Sequence, residues 1–191
     1  MLTILPCLDS VEMSSSRRRE LDIPRDSAAL LGTSAVEAVE EGHYINGTGK
    51  KVDLSIYVQA ACTAKVSIPP DSPLPTSDCP SFPETRIQVS NETTFGASRR
   101  LVESGLKPLA LNFANGIHPG GGFLRGARAQ EEVLCRSSAL YRTIIDDRMY
   151  KEHRKRPRPD STDWAIYSPD VPVFRTDDGM ELEQPWLLSF I

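Results

Sequence analysis

Two short groups of residues have the types and the spacing to carry chemistry. Gly120–Gly122 are three consecutive glycines, and Gln130–Glu132 follow after a spacer of seven residues. Because glycine has no Cβ, a turn built from glycines lets successive backbone N–H groups approach an anion closely. A helix whose first turn contains Gln130–Glu132 adds the positive end of its dipole, which favours a diphosphate over a neutral ligand. The pattern predicts a phosphate-binding turn beside two carboxyl groups.

The glutamate pair has two interpretations. Acidic residues are common in the first turn of a helix because they complement its dipole, so Glu131 and Glu132 can be purely structural. In a site, a carboxyl group held partly away from water keeps its proton near neutral pH and can protonate the leaving oxygen of an acetal. Neighbouring residues on a helix point about 100° apart, so the two glutamates need not share a task.

The wider segment resembles a known family. NFAN, PGGG, the seven-residue spacer and QEE are similar to the signature of poly(ADP-ribose) glycohydrolases, in which GGG precedes QEE by a short spacer. Further segments resemble the microbial branch of that family: NETTFGASRRL (91–101), SSALY (137–141), YSPDVPVFR (167–175) and the final LLSFI. The resemblance extends from about Arg25 to Ile191 and is strongest over residues 108–175.

The resemblance implies a fold and an activity. The expected fold is an α/β macrodomain, a three-layer α/β/α sandwich with a mixed, mostly parallel sheet, preceded by an N-terminal helical segment. The implied reaction is hydrolysis of the ribose–ribose bond of poly(ADP-ribose), with ADP-ribose as product and without metal or other cofactor. An ADP-ribosylated protein is a further expected partner, and the chain is expected to be a monomer. Family members continue past the position of Ile191 and contain a second glycine loop, so an incomplete C-terminal part is expected.

The resemblance also assigns roles to individual residues. Glu132 is the implied catalytic acid and base, and Glu131 is the implied catalytic residue that holds the distal ribose hydroxyls. Asn115 is implied as a second ribose ligand. Gly120, Gly121 and Gly122 are expected to face the diphosphate, with Gln130 supporting the loop.

Each of the residues near the glycines and glutamates has two interpretations, and so does the basic run that follows. Phe123 either stacks on a sugar or base of the substrate or covers the core. Arg125 and Arg128 either approach the phosphates or are solvated, and His118 either contacts substrate or is simply exposed. The basic run 148–158 either holds a polyanionic polymer or is a solvated insertion.

Two other functions remain open. One is a module that binds ADP-ribose without hydrolysing it, or an inactive homologue. The other is a generic α/β protein that binds nucleotide phosphates. A protein of the second kind would bind ATP or NAD as well as ADP-ribose.

Three segments are predicted along the chain. Residues 1–24 are expected to be a disordered leader, because SSSRRRE is polar and low in complexity. Residues 25–83 are expected to form a helical accessory segment ending in a proline-rich loop, with a helix over 26–41 interrupted near Gly32 and a strand over 51–58. Residues 84–191 are expected to form the macrodomain-like part.

The last segment predicts an α/β alternation. A strand over 86–91, a helix over 93–103 and a strand over 108–115 form a unit whose two strands should pair in parallel. A longer helix is expected over 128–143. WAIYS, VPVF and WLLSFI are expected to be short strands, with a hairpin turn at Gly179.

Composition limits the class of protein. With 39% apolar and 25% charged residues and a formal charge of −4, the chain can bury a core, and its charge does not favour binding to nucleic acid or membrane. The four cysteines form no CxxC pair and the three histidines do not cluster with them, so no metal site is predicted. A secretory signal and an apolar run of about 18 residues are both missing. An intracellular protein, cytoplasmic or nuclear, is expected.

Overall fold

The computed structural model describes residues 1–73, 82–155 and 162–191. Parts of the predicted proline-rich loop and of the basic run lie outside the described residues. The helices are α1 (Val11–Leu21), α2 (Arg25–Glu41), α3 (Ser55–Ala64), α4 (Thr94–Glu103), α5 (Gln130–Ser137), α6 (Leu140–Ile144) and α7 (Arg148–Arg154). The strands are β1 (Leu2–Ile4), β2 (His43–Ile45), β3 (Lys51–Asp53), β4 (Val66–Ile68), β5 (Thr85–Ile87), β6 (Leu109–Ala110), β7 (Ala165–Arg175) and β8 (Glu181–Phe190).

A four-stranded sheet in the order β4-β7-β8-β6 supports the site. Its long strands β7 and β8 form an antiparallel hairpin, and Gly179 in the connecting turn has φ 95°, as the predicted turn requires. β4 pairs antiparallel with β7, and β6 pairs parallel with β8. The sheet is therefore mixed, as predicted. Its pairings are mainly antiparallel rather than parallel, because the hairpin returns the chain directly beside itself.

The predicted strand–helix–strand unit does not form. β5 pairs in parallel with β1 at the N-terminus, whereas β6 pairs with β8. Only Leu109–Ala110 of the predicted strand 108–115 is a strand. The residues after it leave the sheet to build the site, and Asn112 N donates to the carbonyl of Ile191 (2.8 Å) as they do so.

Residues 1–24 contain regular structure instead of the expected disordered leader. β1 has a strand partner in β5, and α1 is capped by Ser10, whose hydroxyl accepts a hydrogen bond from Met13 N (3.1 Å). Asn91 Nδ2 then donates to Ser14 Oγ (2.8 Å) and ties α1 to the segment before α4. The sequence-based expectation missed a strand whose partner lies about eighty positions away. The boundary between the accessory segment (25–83) and the macrodomain-like part (84–191) stays a prediction.

Two predicted elements differ locally. α2 runs through Gly32 without interruption. A Cβ at this position would lie 2.8 Å from the carbonyl oxygen of Phe123, so the glycine lets the helix pack closely against that residue. The helix ends at Gly42 (φ 73°), as predicted. The predicted strand 51–58 becomes β3 followed by α3, because Asp53 Oδ1 accepts from Ser55 N (2.7 Å) at the start of the helix.

The helices beside the site begin and end at polar caps. Thr93 caps α4, accepting from Gly96 N (2.9 Å). The predicted helix 128–143 is divided into α5 and α6 at Ser138. Its hydroxyl donates to Leu134 O (2.7 Å) and accepts from Leu140 N (3.2 Å), which satisfies backbone groups on both sides of the break.

α5 is the central helix of the core. Every residue from Glu131 to Ser137 is buried. Val133, Leu134 and Cys135 pack in one apolar cluster with residues of β7 and β8. Because the glutamates stand at the start of this buried helix, their backbone positions are fixed by the packing that follows them.

Candidate active site

The glycine turn has backbone angles that other residues rarely adopt. Gly120 has φ 71° and Gly121 has φ 59°. A Cβ built at Gly121 would lie 2.3 Å from Glu132 Oε1 and 3.1 Å from Glu131 Oε2. Gly121 therefore makes room for both carboxyl groups as well as for the bend.

Backbone N–H groups hold the two carboxyl groups differently. Glu131 uses both oxygens: Oε2 accepts from Asn115 N (2.8 Å) and Oε1 accepts from Gly120 N (3.1 Å). Glu132 uses one oxygen, because Oε1 accepts from Gly122 N (2.9 Å) and the described part of the chain offers Oε2 no donor. The two residues are 3% and 8% exposed. Backbone N–H groups therefore hold both carboxylate oxygens of Glu131, whereas Oε2 of Glu132 is left for a ligand.

The N–H groups of the glycine turn are already occupied, contrary to the expectation that they are free for a phosphate. Gly120 N and Gly122 N donate to the glutamates, and Gly121 N donates to the carbonyl of His118 (2.9 Å). In this structure the turn orients the carboxyl groups. The start of α5 differs, since Ala129 at its N-cap supplies no side-chain hydrogen bond to the N–H groups of the first turn.

Burial dominates the electrostatics of Glu131. It raises the pKa of this carboxyl group, while the N–H groups of Asn115 and Gly120 act in the opposite direction and the charge of Glu132 adds to the rise. The same burial raises the pKa of the Cys135 thiol well above its ordinary value. Burial and the neighbouring charge of Glu132 therefore both disfavour the ionised form of Glu131.

Gln130 and Asn115 shape the loop before the glycines. Gln130 Oε1 accepts from Phe113 N (2.9 Å), and its Nε2 donates to Leu111 O (2.7 Å) and to Thr94 Oγ1 (3.1 Å). Asn115 Oδ1 accepts from the backbone N–H groups of residues 117 and 118, both at 2.9 Å. The amide oxygen of Asn115 is therefore used within the loop, and its Nδ2 is the group that can meet a ligand.

The structure places Phe123 in the core rather than on the surface of the cleft. It is 1% exposed, and its ring centroid lies 4.8 Å from that of Tyr141. A Cβ at Gly120 would lie 3.0 Å from the Phe123 ring, so the turn folds directly over it. This favours the interpretation of Phe123 as a cover of the core over its predicted role in substrate binding.

The other residues near the turn are exposed. Arg125 and His118 carry exposed side chains. Arg128 donates to the carbonyl of Ile23 (2.9 Å) and lies 3.7 Å from a carboxylate oxygen of Asp22. Arg128 is therefore directed toward the α1–α2 connection.

Sequence reasoning missed the groups that support the site from behind. His153 Nδ1 donates to the carbonyl of Gly116 (2.8 Å), and Arg154 Nη1 donates to that of Ile117 (2.9 Å). Gly126 lets α2 approach from the other side, since a Cβ there would lie 2.1 Å from the carbonyl oxygen of Arg25. These partners are far apart in sequence, so no local pattern marks them.

One buried charge lies close to Glu132. Arg136 follows it by four positions on α5, is 1% exposed, and has three guanidinium nitrogens without a hydrogen-bond partner among the described residues. Burial lowers the pKa of Arg136, and the charges of Asp177 and Glu132 act against that shift. The turn Thr176–Gly179 thus contributes, through Asp177, one of the two opposite charges that act on Arg136.

The described residues offer neither a side-chain cluster for a metal ion nor a helix that could cross a membrane. Within 1–73, 82–155 and 162–191, no three side chains of His, Cys, Asp or Glu form a group suited to a metal ion. None of the helices in these ranges has the length and apolar content to cross a bilayer.

Comparison with known proteins identifies a family. Residues 33–176 match the family described as microbial-type PARG, catalytic domain. Comparison with curated proteins gives no match.

Solved structures give the same result. The poly(ADP-ribose) glycohydrolase of Thermomonospora curvata matches with a TM-score of 0.78 and 38% identity, over 86% of this chain and 62% of that chain. The same enzyme bound to the inhibitor ADP-HPD matches with a TM-score of 0.77 and 37% identity, over 86% and 61% of the two chains. The predicted α/β macrodomain-like fold is confirmed by these matches, which span less than two thirds of the T. curvata chain. The chain therefore belongs to the microbial-type poly(ADP-ribose) glycohydrolase catalytic domain family.

Proposed function

We propose that this protein hydrolyses the ribose–ribose O-glycosidic bond of poly(ADP-ribose) and releases ADP-ribose. The observation that carries the proposal is the asymmetry of the two glutamates. Glu132 is buried and held through one oxygen, and its other oxygen has no donor in the described part of the chain. A carboxyl group fixed in this way can exchange a proton with a bound acetal.

Glu132 acts first as an acid and then as a base. Its proton passes from Oε2 to the leaving ribose oxygen as the glycosidic bond breaks and positive charge develops on the sugar. The ionised carboxylate then takes a proton from the water that attacks the sugar carbon, which restores the acid. Gly122 N–H holds Oε1 throughout, so the carboxyl group does not have to rotate between the two steps.

Glu131 and Asn115 bind the ribose. Each oxygen of Glu131 accepts one backbone N–H and has a second lone pair left, which can accept from a ribose hydroxyl. Asn115 Nδ2 is available as a donor to the same sugar. Since both residues are connected through the backbone N–H of Asn115, the sugar and the loop are positioned together.

The diphosphate lies across Gly120–Gly122 and the start of α5. The first turn of α5, which has no side-chain cap, favours the negative charge of the diphosphate. The T. curvata enzyme is described as bound to ADP-HPD. This supports a site for ADP-HPD in this chain, with poly(ADP-ribose) or an ADP-ribosylated protein as the natural partner. We place the activity inside the cell, in a monomer, with Cys7, Cys62 and Cys135 as free thiols.

The test is incubation of the protein with poly(ADP-ribose) and measurement of released ADP-ribose. Glu132→Gln keeps an acceptor for Gly122 N but cannot transfer the proton, so release should fall by at least about a hundredfold. Glu103→Gln is a matched control, because Glu103 is an exposed residue paired with Arg99 on the surface of α4. It should release ADP-ribose at the rate of the unchanged protein.

Binding of ADP-ribose, measured by calorimetry on the same samples, separates the alternatives. Binding without release would identify a binding module. Equal binding of ATP, NAD and ADP-ribose would identify a general nucleotide-phosphate protein. If Glu132→Gln released ADP-ribose as fast as the unchanged protein, Glu132 would not be the acid.

A further inference from the structure

α7 lies directly behind the loop that presents Asn115. His153 Nδ1 and Arg154 Nη1 donate to two consecutive loop carbonyls, those of Gly116 (2.8 Å) and Ile117 (2.9 Å). His153 Nε2 also meets Thr162 Oγ1 (2.7 Å), which fixes the ring from its other side. The helix is therefore held at a fixed position beside the ribose end of the proposed site.

The inward and outward sides of α7 differ in character. Met149, Tyr150 and His153 are buried. The outward side and the C-cap of the helix carry Arg148, Lys151, Arg154 and Lys155, which are all exposed. We call these four residues the α7 basic face. Residues 148 and 154 are separated by about 9 Å along the helix axis, so the charges lie in a row that starts at the loop.

The basic charge of this face is only partly neutralised. Glu152 pairs with Lys155 (2.8 Å), and no described carboxylate pairs with Lys151 or Arg154. Arg148 lies with its guanidinium carbon 4.9 Å from the centroid of the Trp164 ring, a contact that leaves its charge in place. The pKa of Glu152 is lowered, first by its hydrogen bond with Lys155 and then by the neighbouring lysine and arginine charges. A positive potential therefore extends outward from the Asn115 loop.

A polymeric substrate needs such a surface. Each ADP-ribose unit carries a diphosphate, so a chain with one unit in the site has the next pair of negative charges just outside it. An exposed row of cations acts on such charges over about 10 Å at moderate salt. A single ADP-ribose molecule bound in the site has no second diphosphate and gains nothing from the row.

We propose that the α7 basic face binds the diphosphate of the poly(ADP-ribose) unit next to the one held in the site. This inference rests on the proposed function and extends it from the reacting unit to the polymer. It also separates two interpretations of the basic run. A solvated insertion would not be expected to donate two hydrogen bonds to the substrate loop, whereas a polymer-binding surface must lie beside it.

The test compares Lys151→Glu/Lys155→Glu with Lys50→Glu/Lys51→Glu. Both pairs are exposed and change the net charge equally. The control pair lies at the β2–β3 hairpin, where Asn46 and Tyr44 bond to residues of β8 rather than to the site loop. Affinity is measured for poly(ADP-ribose) of defined length and for ADP-ribose, at about 50 and 200 mM salt.

The α7 variant should lose about tenfold in affinity for the polymer at the lower salt, with a smaller loss at the higher salt. Its affinity for ADP-ribose should match that of the unchanged protein, and the control variant should behave like the unchanged protein with both ligands.

Three results would overturn the assignment. The first is equal loss of polymer affinity in both variants, which would indicate net charge alone. The second is no loss in the α7 variant. The third is equally tight binding of single-stranded DNA of matched charge by the α7 basic face, which would identify a nucleic-acid surface. Failure of the unchanged protein to bind ADP-ribose at all would instead contradict the proposed function, so the two failures are distinguishable.

Discussion

At the scale of single residues, Gly121 determines whether the carboxyl pair can form. Gly121→Ala would put a Cβ 2.3 Å from Glu132 Oε1 at a residue with φ 59°. The carboxyl group must then move or the turn must open. We expect a loss of at least about tenfold in ADP-ribose release and about 2 kcal/mol in the free energy of unfolding, measured by urea denaturation.

Gly105→Ala is the matched control for that change. Gly105 also has positive φ, at 79°, but a Cβ there meets nothing within 4 Å. It should cost about 1 kcal/mol of stability from backbone strain alone and leave release unchanged. If both variants lost activity to the same extent, the effect of Gly121 would be general strain rather than contact with Glu132.

Two buried arginines should respond differently to the same substitution. Arg175 is 4% exposed and donates to Leu31 O (2.8 Å), Arg136 O (3.2 Å) and Ser34 Oγ (3.1 Å). Arg175→Met leaves those acceptors without a donor and should lower the free energy of unfolding by about 3 kcal/mol. Arg136 has no hydrogen bond from its guanidinium within the described ranges. The free energy of unfolding of Arg136→Met should therefore lie within about 1 kcal/mol of that of the unchanged protein, or above it.

Urea denaturation of the two methionine variants measures both effects. A large loss in Arg136→Met would mean that its guanidinium has partners that this structure does not contain. A small loss in Arg175→Met would mean that its three hydrogen bonds contribute little net stability.

The residues proposed to be catalytic could be located from sequence because they lie in one contiguous motif. Glu131 and Glu132 were identified from their spacing to the glycines, and the structure brings them to those glycines. What the glycines do was not predictable. Whether an N–H group faces a phosphate or a neighbouring carboxylate depends on the approach of α5 to the turn, and sequence spacing does not specify that approach. Phe123 illustrates the same limit, since its burial depends on Gly32 and Tyr141.

At the scale of elements, Asp147 anchors α7. Its Oδ1 accepts from Met149 N (3.0 Å) and Ser67 Oγ (2.9 Å), and its Oδ2 accepts from Lys65 Nζ (2.8 Å). Burial alone would raise the pKa of Asp147, but these bonds together hold it below the ordinary value. The native state therefore binds this proton more weakly than the unfolded chain. The stabilisation is present above about pH 4 and is lost as the pH falls through the lowered folded value.

Asp147→Asn keeps the cap but removes the charge paired with Lys65. We expect the free energy of unfolding to fall by about 2 kcal/mol at pH 7 and by less below about pH 4, as measured by thermal melts between these pH values. Asp146→Asn is the control, because Asp146 is 80% exposed in its surface pair with Arg142, and its effect should be small at every pH. A loss in Asp147→Asn that did not change with pH would contradict the role of the ionised carboxylate.

Elements with local signals were predicted and those that depend on distant partners were not. The predicted helices 26–41 and 93–103 and the turn at Gly179 appear close to their expected bounds, because Thr93, Gly42 and Gly179 mark them through local backbone preferences. Of the predicted strand 86–91, only residues 86 and 87 belong to β5, and the predicted pairing is wrong because its partner β1 comes from the opposite end of the sequence. The break at Ser138 was missed because the apolar periodicity continues across it.

At the scale of the whole molecule, stability should be unevenly distributed. The apolar core lies around α5, β7 and β8, whereas α1 buries no residue and β5 is exposed along its length. The N-terminal segment is held largely by the ladder between β1 and β5 and by polar contacts such as that of Asn91 with Ser14. Segments with few buried apolar contacts open at a lower free energy than the core.

Hydrogen exchange followed by mass spectrometry tests this gradient. Peptides from α1 should exchange much faster than peptides from β8, and α4 provides an internal comparison because it has nearly the same length as α1. α4 buries Phe95 against Trp186 and Phe190, with ring centroids 6.0 and 6.4 Å apart, so it should be protected more than α1. Equal exchange in α1 and α4 would mean that the N-terminal segment unfolds together with the core. The β1–β5 ladder and the contact of Asn91 with Ser14 would then be part of the structure that holds the start of α4, where Thr94 Oγ1 accepts a hydrogen bond from Gln130 Nε2.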